Sequence, residues 1–150
     1  MTGGKRMRKQ TMGRVLTEAT IENLGDLWDA ERGRIAFEAV RRVTVSDALV
    51  DTGATMLSLP SRMIHALGLT KRQTRRVRTT SGLHEADIYD TVRLTIGGRD
   101  CPTDVIEVPD DTPVLVGQIP LEALDYVVDL RARRLVGNPE HGGELMYDLY

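Results

Sequence analysis

The 150-residue chain holds one cysteine, one tryptophan and one phenylalanine, and nowhere the roughly 18 consecutive apolar residues that a membrane-spanning helix needs. Each shortage removes a class of protein. With Cys101 alone there is no intramolecular disulfide and no multi-cysteine zinc site, and a reducing compartment fits. The basic opening MTGGKRMRKQTMGRV leads into no apolar stretch, which predicts neither a leader peptide nor an anchor and reads as a cytoplasmic protein with no membrane partner. An excess of one charge is missing too. The 20 Lys+Arg against 22 Asp+Glu give a net charge of −2, which speaks against a whole-molecule nucleic-acid binder but not against local patches. His65, His84 and His141 lack metal-ligand spacing: where a second histidine would complete the motif begun by His84-Glu85, Ile88 stands. There is also no G-x-S-x-G, no phosphate loop and no dinucleotide fingerprint, so no metal and no cofactor is expected.

What is present is enough for one ordinary core. At 41% hydrophobic residues, a chain of this length buries roughly two-thirds of its unfolded surface. A single domain over residues 13–150 is expected, preceded by a mobile basic segment, residues 1–12, that has too little apolar surface to offset its ordering entropy. Val15, Thr17, Ala19 and Ile21 alternate as a first strand. A helical insertion follows at about residues 22–42, capped by Asn23 and carrying Leu27 and Trp28, with Gly33 breaking it before a second helical piece over residues 34–42. The single Trp and single Phe of the chain lie here and are expected to pack on an amphipathic face. From Val43 the texture turns β-branched, running through Ala48, Leu49 and Val50 into Asp51-Thr52-Gly53-Ala54. Ser61 is expected to cap a short helix that Gly68 ends. Two strands meet around Ser81-Gly82, a third follows Gly97-Gly98, and Val114-Leu115-Val116 leads through Gly117 to a short helix near Pro120. Val127-Val128 and Leu135-Val136 form a last hairpin. Many short strands and two or three helices give a mainly-β barrel or sandwich, a class that hosts too many activities to name one.

The most specific feature is the triplet Asp51-Thr52-Gly53 at the end of an apolar strand. A sheet delivers a carboxylate there to a turn, and Gly53 lets the backbone approach closely. Asp51 as a plain turn-former bonding its own backbone is the alternative. The segment 48–54 resembles the active-site loop of the single-domain, retropepsin-like aspartic peptidases, and the resemblance extends over about residues 43–137. The hairpin with tip Thr80, Ser81, Gly82 and Leu83 stands in the place of that family's flap. Tyr89-Asp90 followed by Val92, Leu94 and Ile96 is similar to the strand leaving it, and Val114-Leu115-Val116-Gly117 to the segment that braces the active-site loop. Gln118 and Ile119 depart from the basic residue and Asn that usually follow the brace, Thr55 replaces a common acidic residue, and the 22–42 insertion has no counterpart in the compact viral enzymes.

The resemblance implies an all-β, acid-protease-type closed barrel with a flap hairpin, acting as a homodimeric aspartic endopeptidase. Asp51 is implied as the catalytic residue, with Thr52, Gly53 and Ala54 shaping its loop, Gly117 in the brace, and Thr80, Ser81, Gly82 and Leu83 closing over a peptide or protein substrate in extended conformation. Two facing carboxylates sharing one proton are needed, one to activate water and one to polarise the scissile carbonyl. Asp90-Thr91-Val92 and Asp111-Thr112-Pro113 lack the glycine, so the second carboxylate must be Asp51 of a twin chain. The apolar tail, Leu145, Met146, Tyr147, Leu149 and Tyr150, is expected to add a strand at the dimer edge. A catalytically silent dimer that binds peptides or proteins is the alternative. Lys71, Arg72, Arg75, Arg76 and Arg78 lead into the flap without interleaved aromatics; a solvated face, a contact to phosphates and a preference for acidic peptide residues all fit this pattern. Cys101 among β-branched neighbours is read as a core residue without a role.

Overall fold

The computed structural model describes residues 14–149; the basic segment 1–12 and Tyr150 lie outside the described residues. The architecture is mostly β. In chain order it runs β1 (Val15–Asn23), α1 (Leu24–Glu31), a 3-10 turn (Phe37–Ala39), β2 (Arg42–Val50), β3 (Leu57–Pro60), α2 (Ser61–Leu67), β4 (Lys71–Thr79), β5 (Gly82–Ile96), β6 (Arg99–Val108), β7 (Leu115–Val116), α3 (Gln118–Ala123), β8 (Tyr126–Asp129), β9 (Arg134–Gly137) and a second 3-10 turn (Pro139–His141). Among the described residues no helix is long and apolar enough to cross a membrane.

Seven strands form one sheet in the order β1-β2-β7-β3-β6-β5-β4. Residues 20–23 of β1 also pair antiparallel with residues 92–95 of β5, so the pairing returns to its start and only β4 is left outside the circuit. Two irregularities make this closure possible. A register shift between Thr17 and Ala19 lies just before the residues of β1 that pair with β2 on one edge and with β5 on the other, and a second between Tyr89 and Val92 bends the 15-residue β5, whose far half is free to run out as a hairpin with β4. Inside the circuit Ile21, Leu57, Leu59, Val92, Leu94 and Val105 are fully buried, each worth about 1.5–3 kcal/mol against exposure. Leu67, Leu121 and Leu124, in or beside α2 and α3, fill the open ends.

Between β1 and β2 the insertion holds one helix, not two. Asn23 caps α1 by accepting the Asp26 amide (3.0 Å), and its side-chain amide donates to the Leu67 carbonyl (2.8 Å), tying the insertion to α2. Beyond Gly33, whose φ of 74° ends the helix, only the 3-10 turn remains of the expected second piece. The Asp26 carboxylate accepts from both the Arg41 backbone amide and the Arg41 guanidinium, which holds the chain in its extended run into β2. The packing face is also different from that expected: Leu27, Ala30 and Val40 form a small cluster of their own with Leu24 and Ile35, leaving Trp28 and Phe37 49% and 57% exposed. Ser61 begins α2 without capping it: the preceding residue is Pro60, and no side chain caps that end.

Candidate active site

The site is built around a crossing of strands. β2 runs parallel to β7, with Leu49 opposite Leu115 and Val50 opposite Val116, while β3 pairs with the other side of β7 antiparallel, with Leu57 opposite Val116. The segment joining β2 to β3, residues 51–56, therefore has to arch over the end of β7. Asp51 is its first residue. The Asp51 amide donates to the Val116 carbonyl (2.9 Å), so the last rung of the β2–β7 ladder fixes the backbone that carries the carboxylate.

Within the arch the carboxylate organises its own turn. Asp51 Oδ1 accepts the Gly53 amide at 3.0 Å, and the Ala54 amide donates to the Asp51 carbonyl at 3.0 Å. A Cβ on Gly53 would come to 3.2 Å from Oδ1, which is why the smallest residue stands there. Asp51 is half-buried, Thr52 and Gly53 are exposed, and among the described residues Asp51 Oδ2 has no hydrogen-bond partner. The turn-former reading of Asp51 is thus correct as far as one oxygen goes.

The arch is held from beneath by the start of α3. The first amides of a helix have no partner within it, and here they find the arch: Gly117 donates to the Met56 carbonyl (3.1 Å), Gln118 to Ala54 (2.8 Å) and Ile119 to Thr55 (2.9 Å). Such an approach leaves no space at Gly117, where a Cβ would lie 2.5 Å from the Met56 oxygen and 2.8 Å from that of Ala54. The departures at Gln118 and Ile119 do not weaken this clamp, because it uses backbone only; the Gln118 side chain turns away to Glu122 (3.0 Å). Three consecutive backbone bonds leave no mark on side-chain identity, so the sequence pattern exposes Gly117 alone.

Thr80, Ser81, Gly82 and Leu83 lie at the tip of the β4–β5 hairpin, all exposed. The tip is knitted by hydroxyls: Thr79 Oγ1 lies 3.1 Å from Ser81 Oγ, which in turn is 2.7 Å from His84 Nε2. Gly82, at φ 118°, takes a conformation that a side chain would strain. No hydrogen bond joins this tip to residues 51–56 among the described residues, so the structure unites residues 51–54 with Gly117 and leaves the tip apart.

A comparison with protein-family models matches residues 39–119, more than half of the chain, to the aspartyl protease model. The chain belongs to the retropepsin-like aspartyl protease family. No curated protein matches it significantly. The family match spans the arch, the β4–β5 hairpin and the clamp, and stops short of the β8–β9 hairpin and the tail. An open cleft of about 430 Å³ lies elsewhere, between α1 and the bases of β4 and β5, lined by Leu24, Trp28, Arg72 and Tyr89 among others and by no residue of the arch. Asp51 lies within the matched segment and outside that cleft.

Two charged clusters near the insertion are structural. Glu22, buried, is bound by Arg42 and by Arg93 (2.9 Å) where β1, β2 and β5 meet. The Arg41 guanidinium hydrogen-bonded to Asp26 holds that carboxyl below its ordinary range against the opposing effect of burial. Cys101 is buried, with its thiol pushed up to about 11 by loss of solvent, which makes it inert.

Proposed function

We propose that this protein is an aspartic endopeptidase that works as a homodimer, with Asp51 of one protomer facing Asp51 of its partner across a two-fold axis. The observation that carries the reading is that a member of this family presents a single Asp-Thr-Gly, on an arch whose underside is clamped and whose outer face, Thr52 and Gly53, is exposed. One carboxylate cannot perform the reaction alone. Asp90, in the nearest imitation of the triplet, is spent on the Thr70 amide (2.9 Å) and on Arg72, so a second copy is the economical source of the partner. Such an interface is isologous, the arch of each chain meeting its own image. Thr52 would brace the two arches through its hydroxyl.

In the dyad two carboxyl groups share one proton. The ionised one takes a proton from a water molecule as its oxygen attacks the scissile carbonyl carbon; the protonated one donates to the carbonyl oxygen. The tetrahedral diol then collapses with rupture of the C–N bond, its proton passing to the amine nitrogen. An extended peptide would pair with the cleft walls as an added strand. The tip residues Thr80, Ser81, Gly82 and Leu83 would close over it and exclude bulk water. The unbroken circuit of strand pairing supports reading the body as an acid-protease-type closed barrel, and the buried lone thiol fits a cytoplasmic site of action.

The test is cleavage of a degenerate peptide library between about pH 4 and 7.5, read by mass spectrometry. The parent is expected to cut, and Asp51→Asn to lose at least about a thousandfold in rate while remaining a dimer. Dimers that leave every peptide intact would instead support the silent binding module.

A further inference from the structure

The charge on the β4–β5 hairpin is graded along its length. At its base the cations are matched: Arg72 pairs with Asp90, and Lys71 lies 3.9 Å from Asp87. Toward the tip they are not. Arg75, Arg76 and Arg78 belong to no ion pair among the described residues; Arg75 touches only Gln73 (3.2 Å), and the one acid in the register opposite them, Glu85 across from Arg76, is not within pairing distance. Arg76 and Arg78, two residues apart, share a face of the strand, and Arg75 occupies the other. Like charges so placed repel, and no ion pair among the described residues offsets it.

β4 is also the end strand of the sheet. Its nine residues are almost entirely exposed, and its outer edge pairs with no strand among the described residues. A row of free backbone amides and carbonyls flanked by guanidiniums on both faces matches one kind of partner by hydrogen bonding and by charge. We infer that the outer edge of β4 docks an extended acidic peptide segment, its backbone adding a strand and its Asp or Glu side chains alternating onto Arg76 and Arg78 on one face and Arg75 on the other. Aromatic residues on which bases could stack are absent from the strand, which favours an acidic peptide over single-stranded nucleic acid. As a statement about substrate this rests on the peptidase reading, and it makes acidic segments the preferred class; as a statement about binding it stands alone. Charges on an end strand also deter edge-to-edge aggregation, and that role does not depend on their sign.

The experiment therefore reverses the sign. Fluorescein-labelled decapeptides of the same apolar residues alternating with either Glu or Lys are titrated by anisotropy onto the Asp51→Asn protein, in which cleavage does not interfere. The Glu peptide is expected to bind on the order of tenfold tighter than the Lys peptide. That margin should shrink as salt rises from about 0.05 M to about 0.5 M and screening shortens. In the background of Arg75→Glu, Arg76→Glu and Arg78→Glu the preference should invert, while Lys at the same three positions keeps its direction. Equal binding of both peptides, or a preference that survives charge reversal, overturns the inference, as does tighter binding of a single-stranded oligonucleotide than of the Glu peptide. A second arm repeats the library digestion with the parent and the charge-reversed protein. Cut sites flanked by acids in the first and by bases in the second are expected. No cutting by either while the anisotropy preference holds would sink the peptidase reading and leave the docking surface standing.

Discussion

At the residue scale the arch depends on one atom that is missing. Gly117 has an ordinary φ of −87°, so no backbone strain reserves the position for glycine; what reserves it is the contact with three residues of the arch. A Cβ in Gly117→Ala has to push the carbonyls of Ala54 and Met56 away, which breaks the amide bonds that clamp them. Overpacking of this kind costs about 1–3 kcal/mol, and in the proposed dimer a carboxylate displaced by about 1 Å from its twin costs on the order of a hundredfold in rate. The expected result is a folded protein, slightly lower in melting temperature, with kcat reduced far more than stability. A variant that keeps the parent's kcat would mean that the arch does not depend on its contact with α3.

At the scale of elements, the insertion is coupled to the body through Asn23. Its side chain performs two tasks at once, capping α1 and donating to Leu67 at the end of α2, and it is buried while doing so. Loss of a cap costs about 1 kcal/mol, and an unsatisfied buried carbonyl adds about 1–3 kcal/mol. Asn23→Ala is therefore expected to lower unfolding free energy by about 2–4 kcal/mol in urea titration, whereas Asn23→Asp, which keeps the cap and loses only the donor, should fall between. Equal losses in the two would show the cap to be irrelevant. The cap was legible in the sequence because it is local. The tie to Leu67 was not, since 44 residues separate the partners, and neither was the fate of residues 34–42, where a helical texture yields to the pull of Arg41 toward Asp26.

For the molecule as a whole, the tail is held by its own chain and forms no strand among the described residues. His141 Nδ1 lies 2.7 Å from Asp125 Oδ2 and its Nε2 lies 3.2 Å from Asp148 Oδ2, while Asp125 also accepts the Met146 amide (3.1 Å) and Asn138 Nδ2 (3.3 Å). Glu122 lines the same recess. A neutral imidazole has one N–H, so donating to both carboxylates requires the cation. The hydrogen bond to Asp125, then that to Asp148, accordingly raises His141 above its usual 6.5, and the bond from His141 foremost lowers Asp125 from 3.8. Because folding raises the first, its stabilisation is complete below pH 6.5 and fades as pH rises through the raised value; because folding lowers the second, its contribution is present above pH 3.8 and is lost as pH falls through the lowered one. Tail anchoring should thus be firmest in the mildly acidic range. Hydrogen exchange at Met146, corrected for intrinsic rates, is expected to quicken as pH rises above 6.5 through the raised His141 value, and His141→Ala should abolish that dependence. Protection that stays constant across the range in the parent would show that the charge on His141 does not hold the tail. This cluster was invisible in the sequence, where the apolar Leu145, Met146, Tyr147, Leu149 and Tyr150 drew the reading of the tail, because Asp125, His141 and Asp148 come together only where α3, β8 and the turn at Pro139–His141 converge.

What the sequence determined by itself was whatever is encoded within a few residues. Alternation marked the strands, Gly and Pro marked their ends, and the triplet Asp51-Thr52-Gly53 with its flanking brace identified the family, since a turn that bonds its own carboxylate needs those residue types side by side. The tertiary structure decided the rest. Only the folded chain closes β1 onto β5, sets three helix amides under the arch, exposes Trp28 and Phe37, and leaves Arg75, Arg76 and Arg78 unmatched on an open edge. These depend on which distant backbones meet, and backbone hydrogen bonds are alike in every residue, so the pairing is chosen by burial of the whole core and leaves little trace in any one stretch of sequence.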